Sequence, residues 1–371
     1  MGFTTQDTRW MRRALALAAR GFAPPNPMVG CVIVKDGLRV GEGFHPLAGQ
    51  PHAEVFALRA AGAAASGAVA YVTLEPCCHH GRTGPCTEAL IAAGIKKVVV
   101  ATQDVDPRVA GKGITRLQAA GIEVETGLLA EESQQLNEAF FHFHTVGRPF
   151  VVLKAAMSLD GKIAAHTGIS QWITGEKARK HVHSLRARSG AVMAGIGTVL
   201  ADDPLLTARL RPAAPRQPLR VVIDSHLRLP KSSKLVTTAA PSTPVIVICT
   251  ESADANAEKA LVSEGLEVVR VGHQNGRVDL SAAMRVLAAR QIISVFCEGG
   301  GQLNASLLMA GLADRALFYV APRLIGGECA PTPVEGKGAE TPQQGWKLGE
   351  LNVLHFGNDI AITGRILGQG Q

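Results

Sequence analysis

Two short stretches carry residue types that could do chemistry together. "PHAEVFALRA" spans 51–60 and sets His52 two positions before Glu54, and "EPCCHHGRTGPC" spans 75–86 and holds Cys77, Cys78 and Cys86. A catalytic zinc takes three protein ligands and keeps a fourth position for water. His52, Cys77 and Cys86 would supply one nitrogen and two thiolates. Ligand pairs that share a helix face stand three or four residues apart. Glu54 therefore need not share the metal with His52 and is placed to shuttle protons. The residues leave a second arrangement open, a closed structural site made by Cys77, Cys78, Cys86 and one of His79 or His80.

These residues need elements to hold them. The pattern predicts a first amphipathic helix capped by Thr5 or Asp7 and closed by Gly21 and Pro24, then the strand "VGCVIVKDG" (29–37) with a return toward Phe44. A helix from His52, a strand at 68–74, a helix from Cys86 to about Gly94 and a strand at 96–102 follow. A helix at 111–120, the strand "IEVET" and a helix running to about His144 complete an α/β domain over 1–146. His52 and Cys86 each stand where a helix begins, and free N–H groups and partial positive charge there favour a thiolate.

"VGRPFVVLKAAM" (146–157) marks a junction, and the remainder, 147–371, alternates again. Strands are expected at "SGAVMAG", "LRVVID", "PVIVICT", "LEVVRV" and "ISVFCEG", with β-like segments at 315–325 and 347–363. The Pro-rich stretches 209–218 and 330–345 read as surface loops. "CEGGGQLNASLL" (297–308) ends a strand, passes three glycines and opens a helix, an arrangement that presents N–H groups to an anion.

Composition narrows the class. At 371 residues, with 46% hydrophobic and 19% charged residues, two well-cored domains are expected. No run reaches the ~18 apolar residues that span a bilayer. The N-terminal apolar run, at the floor of a signal h-region and broken by Arg20, reads better as the first amphipathic helix, and a cytoplasmic protein is expected. The cysteine count of seven is odd, and Cys31, Cys249, Cys297 and Cys329, set singly in apolar surroundings, are expected to be inert core thiols. The net charge of +7 is spread along the chain and aromatics make up only 4%, which argues against nucleic acid and suits a small phosphorylated ligand.

Nucleobase zinc deaminases carry H-x-E and then P-C-x-x-C. With "APPNPMVGCVIV" before them, the two motifs resemble the bifunctional deaminase/reductase of bacterial riboflavin biosynthesis, over essentially the full chain. In that family the second thiolate comes from the distal cysteine of P-C-x8-C. The resemblance therefore implies one zinc per chain on His52, Cys77 and Cys86, with Cys78 left out. Family members commonly have Pro-Pro where this chain has Gly84-Pro85, a change expected to loosen the loop. The resemblance also implies that Asn26, His45, His79 and Arg82 line the deaminase pocket, the last by gripping phosphate. Zinc would acidify a water, and Glu54 would move its proton to the ring nitrogen and the leaving ammonia. The implied substrate is a diaminopyrimidinone bearing a ribosylamino phosphate.

"KAAMSLDGKIA", "SQWIT", "LRARSGAVMAGIGTVLADDPLLTAR" and "VVIDS" resemble the reductase half of the same family, whose fold is dihydrofolate-reductase-like. Position by position, the resemblance implies NADPH contacts from Ala156, Trp172, Thr198, Asp202, Ser225, Gly300, Gly301, Gln302, Leu303, Asn304, Ala305 and Ser306. It implies substrate contacts from Ser170, Arg186, Leu206, Arg209 and Glu298. Hydride delivery to C1′ of the opened ribose would give a ribityl chain. The expected architecture is thus a cytidine-deaminase-like three-layer α/β domain followed by a dihydrofolate-reductase-like α/β domain, in a homo-oligomer. The rival enzyme, a nucleoside or tRNA deaminase with a binding appendage, leaves the second half without work. A non-enzymatic zinc-stabilised nucleic-acid binder would need clustered cations that the chain lacks.

Overall fold

The computed structural model describes residues 2–22, 24–79 and 84–369. The chain forms two compact units, Met1–Gly147 and Arg148–Gln371.

The first unit opens with helix α1 (Thr5–Ala18). Its N-cap is Thr4, one residue ahead of the expected cap: Thr4 Oγ1 accepts from the Asp7 N–H while Asp7 accepts from the Thr4 N–H at 2.8 Å. Asp7 is thus the third helical residue of a capping box. Strands β1 (Gly30–Lys35) and β2 (Leu38–Phe44) form a hairpin, followed by α2 (Ala53–Ala61), β3 (Val69–Leu74), α3 (Cys86–Ala92), β4 (Lys97–Thr102), α4 (Lys112–Ala119) and β5 (Glu123–Thr126). The sheet order is β2-β1-β3-β4-β5, with β3, β4 and β5 parallel. Side chains alternate across it. Cys31 and Ile33 pack with Ala53, Ala57, Leu90 and Leu117 under α2–α4, whereas Val32 and Val34 pack with Met11, Ala14 and Leu17 of α1. The result is a three-layer sandwich. At Gly41 and Gly43 a Cβ would run into the backbone and side chains of α2, so these glycines let that helix lie directly on the hairpin.

The expected last helix is two helices, α5 (Ala130–Leu136) and α6 (Glu138–Val146). Asn137 breaks them because its amide is spent elsewhere: Oδ1 accepts from the Met28 N–H at 2.7 Å and Nδ2 donates to the Met28 carbonyl at 2.9 Å. No local pattern announces that long-range bond.

The second unit runs β6 (Phe150–Ser158), α7 (Glu176–Arg188), β7 (Ala191–Gly195), α8 (Ile196–Asp202), β8 (Leu219–Ile223), α9 (Lys234–Thr237), β9 (Val245–Thr250) and α10 (Ala255–Ser263). It continues with β10 (Glu267–Val271), the small hairpin β11 (His273–Gln274) and β12 (Arg277–Val278), α11 (Leu280–Ala289), β13 (Ser294–Cys297), α12 (Gly301–Met309), β14 (Arg315–Ala321), β15 (Trp346–Phe356) and β16 (Asp359–Gln369). The main sheet is ordered β10-β9-β8-β7-β13-β6-β14-β16-β15, parallel from β10 through β14 and antiparallel in its last two pairs. One face carries a core with Ala178, Val182, Val199 and Leu261, the other a core with Met284, Leu287, Leu303 and Leu307. A parallel sheet must be covered on both faces in this way. The chain leaves β6 for β7 and later fills the gap between them with β13. Beyond the carboxyl ends of strands at such a switch of order, open α/β sheets form a ligand crevice.

Cys31, Cys249 and Cys297 are buried as expected, but Cys329 is exposed. It lies in the loop between β14 and β15, where no core reaches it. Among the described residues no helix is long and apolar enough to cross a membrane.

Candidate active sites

His52 is the N-cap of α2, Glu54 lies in that helix's first turn, and Cys86 is the first residue of α3. Cys77 follows β3 in an irregular segment, held by the Thr87 N–H on its carbonyl at 3.2 Å and the Cys86 N–H on its sulfur at 3.5 Å. One donor atom from each of His52, Cys77 and Cys86 falls within 4.8 Å of the others. His52 Nδ1 is 3.2 Å from the Cys86 sulfur and 3.5 Å from the Cys77 sulfur. Cys78 stands apart, its sulfur directed at the Arg108 carbonyl.

The three donors share protons. The hydrogen bond from Cys86 holds the Cys77 thiol far below the ordinary thiol range, and Cys86, which keeps the proton, is pushed up. The hydrogen bond to Cys77 in turn raises His52. A cation that displaces those protons meets one nitrogen and two sulfurs at one point, a donor set that suits zinc. Glu54, 3% exposed, lies beside it. Burial, then the negative charge of Cys77, pushes its carboxyl up to about 7, and its Oε2 is buried with no hydrogen-bond partner among the described residues. A buried acceptor beside a cluster of metal donors fits a group that takes a proton from a water there.

His45 and Asn26 belong to the same place. The His45 ring meets that of His52 edge to face at 5.1 Å, its Nδ1 bonds the Pro51 carbonyl at 3.1 Å and its Nε2 bonds Asn26 Nδ2 at 3.1 Å. Donation from Nδ1 and acceptance at Nε2 define a neutral imidazole. Burial lowers its pKa in the same sense. His79 is partly buried, and its Nδ1 has no partner among the described residues. Gly84 is exposed, with open space where a Cβ would stand. Arg82, expected to grip phosphate, lies outside the described residues.

The second unit holds a cavity of about 630 Å³ at the carboxyl ends of its central strands. It is lined by Ala156, Ser170, Trp172, Arg186, Thr198, Asp202, Leu206, Arg209, Glu298, Gly300 and Asn304, which the sequence had singled out from separate segments. Ser225, Gly301, Gln302, Leu303, Ala305 and Ser306 do not line it. Leu303 and Ala305 are buried side chains of α12, and Gly301 is small because the segment around Thr332 and Glu335 lies against it. The Ser225 hydroxyl accepts from the Val278 N–H at 3.2 Å.

Six cationic side chains face four anionic ones around the cavity. Glu298 is the buried centre: it bonds Arg186 through Nε and, at 3.0 Å, through Nη2, and Lys154 through Nζ at 3.3 Å. Burial alone would raise its carboxyl, but Arg186 and Lys154 bring it down to about 2. Arg186 spends another donor on the Thr207 carbonyl at 3.0 Å, so much of its fork is committed within the protein. Arg209 is freer, with one bond to Thr207 Oγ1 at 3.3 Å. Ser170 donates to Asp202 at 2.5 Å, joining two sides of the cavity. The Arg179 guanidinium covers the exposed Trp172 ring at 4.6 Å.

Comparison with known proteins now decides the family. Residues 4–102 match the cytidine and deoxycytidylate deaminase zinc-binding region, and residues 149–362 match the RibD C-terminal domain. The chain is 46% identical over 361 residues to the riboflavin biosynthesis protein RibD of Actinobacillus pleuropneumoniae, covering 97% of this chain and 95% of that one. The structure of Acinetobacter baumannii RibD superposes with a TM-score of 0.86 at 44% identity, covering 97% and 99% of the two chains. The chain belongs to the RibD family. A further RibD-like structure, a diaminohydroxyphosphoribosylaminopyrimidine deaminase/5-amino-6-(5-phosphoribosylamino)uracil reductase from Thermotoga maritima, has a TM-score of 0.82 at 36% identity, covering 97% and 99%.

As a member of that family, the chain is a bifunctional deaminase and reductase of riboflavin biosynthesis, with a cytidine-deaminase-like first half and a reductase second half. It uses zinc in the first and NADPH in the second. Some residues that build the RibD sites escaped sequence reasoning. Asn137 clamps the loop that carries Asn26, Glu75 anchors the segment before Cys77, and Lys154 pairs with Glu298. Lys154 opens a stretch quoted for its resemblance, and Glu75 sits inside the cysteine motif, so both had a signal of place. Asn137 had none.

Proposed function

We propose that the first unit, taken as 1–146, deaminates 2,5-diamino-6-(5-phosphoribosylamino)pyrimidin-4-one, and that the second, 147–371, reduces the deaminated product to the ribityl phosphate. One observation supports the first step above others: His52, Cys77 and Cys86 converge within 4.8 Å beside a buried carboxylate with an unpartnered oxygen. Zinc, when bound, supplies the Lewis acidity that makes water a nucleophile near neutral pH. Glu54 holds and relays the proton from that water to the ring nitrogen and then to ammonia. Its carboxyl, raised to about 7, can both accept and return a proton near neutrality. Asn26 and His45 form one hydrogen-bonded edge of the pocket and orient the pyrimidine, and His79 and Arg82 are the other substrate-binding residues in this reading.

In the second unit NADPH, when bound, supplies the hydride. Ala156, Trp172, Thr198, Asp202, Ser225 and the 300–306 segment hold the cofactor in this reading. Ser170, Leu206 and Glu298 position the sugar. Arg209 meets the phosphate with its less committed guanidinium, and Arg186, whose fork is largely spent on Glu298 and Thr207, adds its charge to the same site. The excess of cations around the cavity favours a phosphorylated ligand.

The enzyme works in the cytoplasm, without nucleic-acid or membrane partners, as a homo-oligomer. Support for self-association lies at the sheet edge, where Leu348, Leu351, Val353 and Leu354 of β15 are exposed together with Ile362 and Leu367 of β16.

The decisive assay gives the purified chain the diaminopyrimidine phosphate and follows ammonia release and NADPH oxidation separately. Ammonia should appear without NADPH, and NADPH should be consumed once deamination has occurred. Ammonia from cytidine or tRNA, with no NADPH consumed on the pyrimidine phosphate, would overturn the reading.

A further inference from the structure

Glu75 directly follows β3, two residues before Cys77, is 3% exposed, and makes no ion pair among the described residues. Four backbone N–H groups converge on its carboxylate instead. Oε1 accepts from Gly113 at 2.8 Å and Ile114 at 3.1 Å, and Oε2 accepts from Gly111 at 2.9 Å and Asp104 at 3.2 Å. A glutamine of the same shape would turn an NH2 toward two of those donors, so only the carboxylate satisfies all four. At Gly113 a Cβ would collide with the Pro76 carbonyl and reach Glu75 Oε1 at 3.0 Å. The 104–114 segment therefore lies directly on Glu75-Pro76.

Cys77 belongs to no helix or strand, so regular structure does not fix its sulfur. It is held in front by the first turn of α3 and behind by this cradle. Burying a carboxylate costs several kcal/mol before its hydrogen bonds offset it. A segment that had only to turn could use an uncharged residue.

We propose that Glu75 is a positioning residue for the metal. It clamps Glu75-Pro76-Cys77 so that the Cys77 sulfur stands with His52 Nδ1 and the Cys86 sulfur before the ion arrives. The inference rests on the assignment of His52, Cys77 and Cys86 to zinc. Groups that orient metal ligands typically change affinity 10- to 100-fold.

The test uses the full-length chain, metal-free and zinc-loaded, as the parent, Glu75→Gln, Gly113→Ala and Cys86→Ala. Zinc affinity is read by competition with a chelating dye, and the zinc-induced rise in Tm by thermal unfolding. Glu75→Gln and Gly113→Ala should each weaken zinc about 10- to 100-fold and shrink the rise in Tm. A merely structural role would lower both Tm values alike and leave the increment intact. Gly113→Ala approaches the clamp from its other side, and alanine in a helix is otherwise favourable, so its loss would come from the contact. If Glu75→Gln binds zinc within about twofold of the parent while Cys86→Ala does not, far less than the effect expected of such groups, the clamp is wrong. A parent that binds no zinc, or zinc that survives Cys86→Ala, sinks the ligand assignment and the clamp with it.

Discussion

The two sites solve opposite problems. In the first unit a few atoms must meet within 4.8 Å, and they come from 35 consecutive positions, His52 to Cys86, set at two helix starts and one turn. In the second unit a cavity of about 630 Å³ is, in the proposed reading, shared by two phosphorylated molecules, and its lining runs from Lys154 to Pro333. Point chemistry tolerates no spread, so its ligands crowd into one motif. A wide crevice is assembled by strand order, so its residues are scattered along the chain. The first site concentrates failure in single atoms, and the second distributes it.

The sharpest break in that contrast is Cys86→Ala. It should abolish stoichiometric zinc and deamination, yet leave NADPH oxidation on the deaminated substrate near the parental rate. Metal analysis and the two separate assays check this, and loss of both activities would mean that the sites are not independent. Glu54→Gln comes next. It keeps the ligands and the shape but cannot take a proton, so deamination should fall about 10²–10⁴-fold with zinc content unchanged. Zinc lost from this variant would make Glu54 a structural support of the cluster.

The second unit offers Glu298→Gln. Removing one partner of a buried ion pair costs about 3–5 kcal/mol, which denaturant unfolding at pH 7 would register. The carboxyl of Glu298 is held at about 2 in the folded chain, below its ordinary value. Its contribution is therefore fully present above the ordinary carboxylate range and is lost as pH falls through about 2. The gap between parent and variant should narrow from about pH 4.5 downward, and a constant gap would sever the pair from the pH effect. The smallest change is expected of Cys78→Ser, which should keep zinc and deamination within about twofold of the parent because its sulfur points away from the cluster. Zinc lost there would reopen the closed, structural arrangement of the cysteines.

What could be read in advance follows the same division. H-x-E and the cysteine motif lie close in sequence, so their types and spacing already imply a metal and a base. The alternation of strands and helices marked nearly every element, because both units are layered sheets with periodic burial. What the sequence did not show has a common cause. "EESQQLNEAFFHFHTV" keeps a helical pattern through Asn137, and only the distant Met28 backbone breaks it. Gly301 looks like part of an anion-binding turn, but a chain segment thirty residues on already lies against it. Leu303 and Ala305 are carried over with that motif, and only the folded helix shows that they face inward. A singly placed cysteine in an apolar sequence is buried three times out of four here, and Cys329 escapes because its neighbours form a loop.

The clamp of Asn137 on Met28 also says where the catalytic module ends. The deaminase family match stops at residue 102, after β4. An excised piece cut at that point would carry every proposed zinc ligand and Glu54. It would lack the amide that grips both backbone groups of Met28, two residues beyond Asn26. Such a piece could hold its ion and still present a slack wall to the pyrimidine. The portable deaminase is therefore longer than its signature. A fusion or dissection of this enzyme has to carry α5 and α6 with the metal motif, because the latch on the loop of Asn26 is made from the last part of the unit to leave the ribosome.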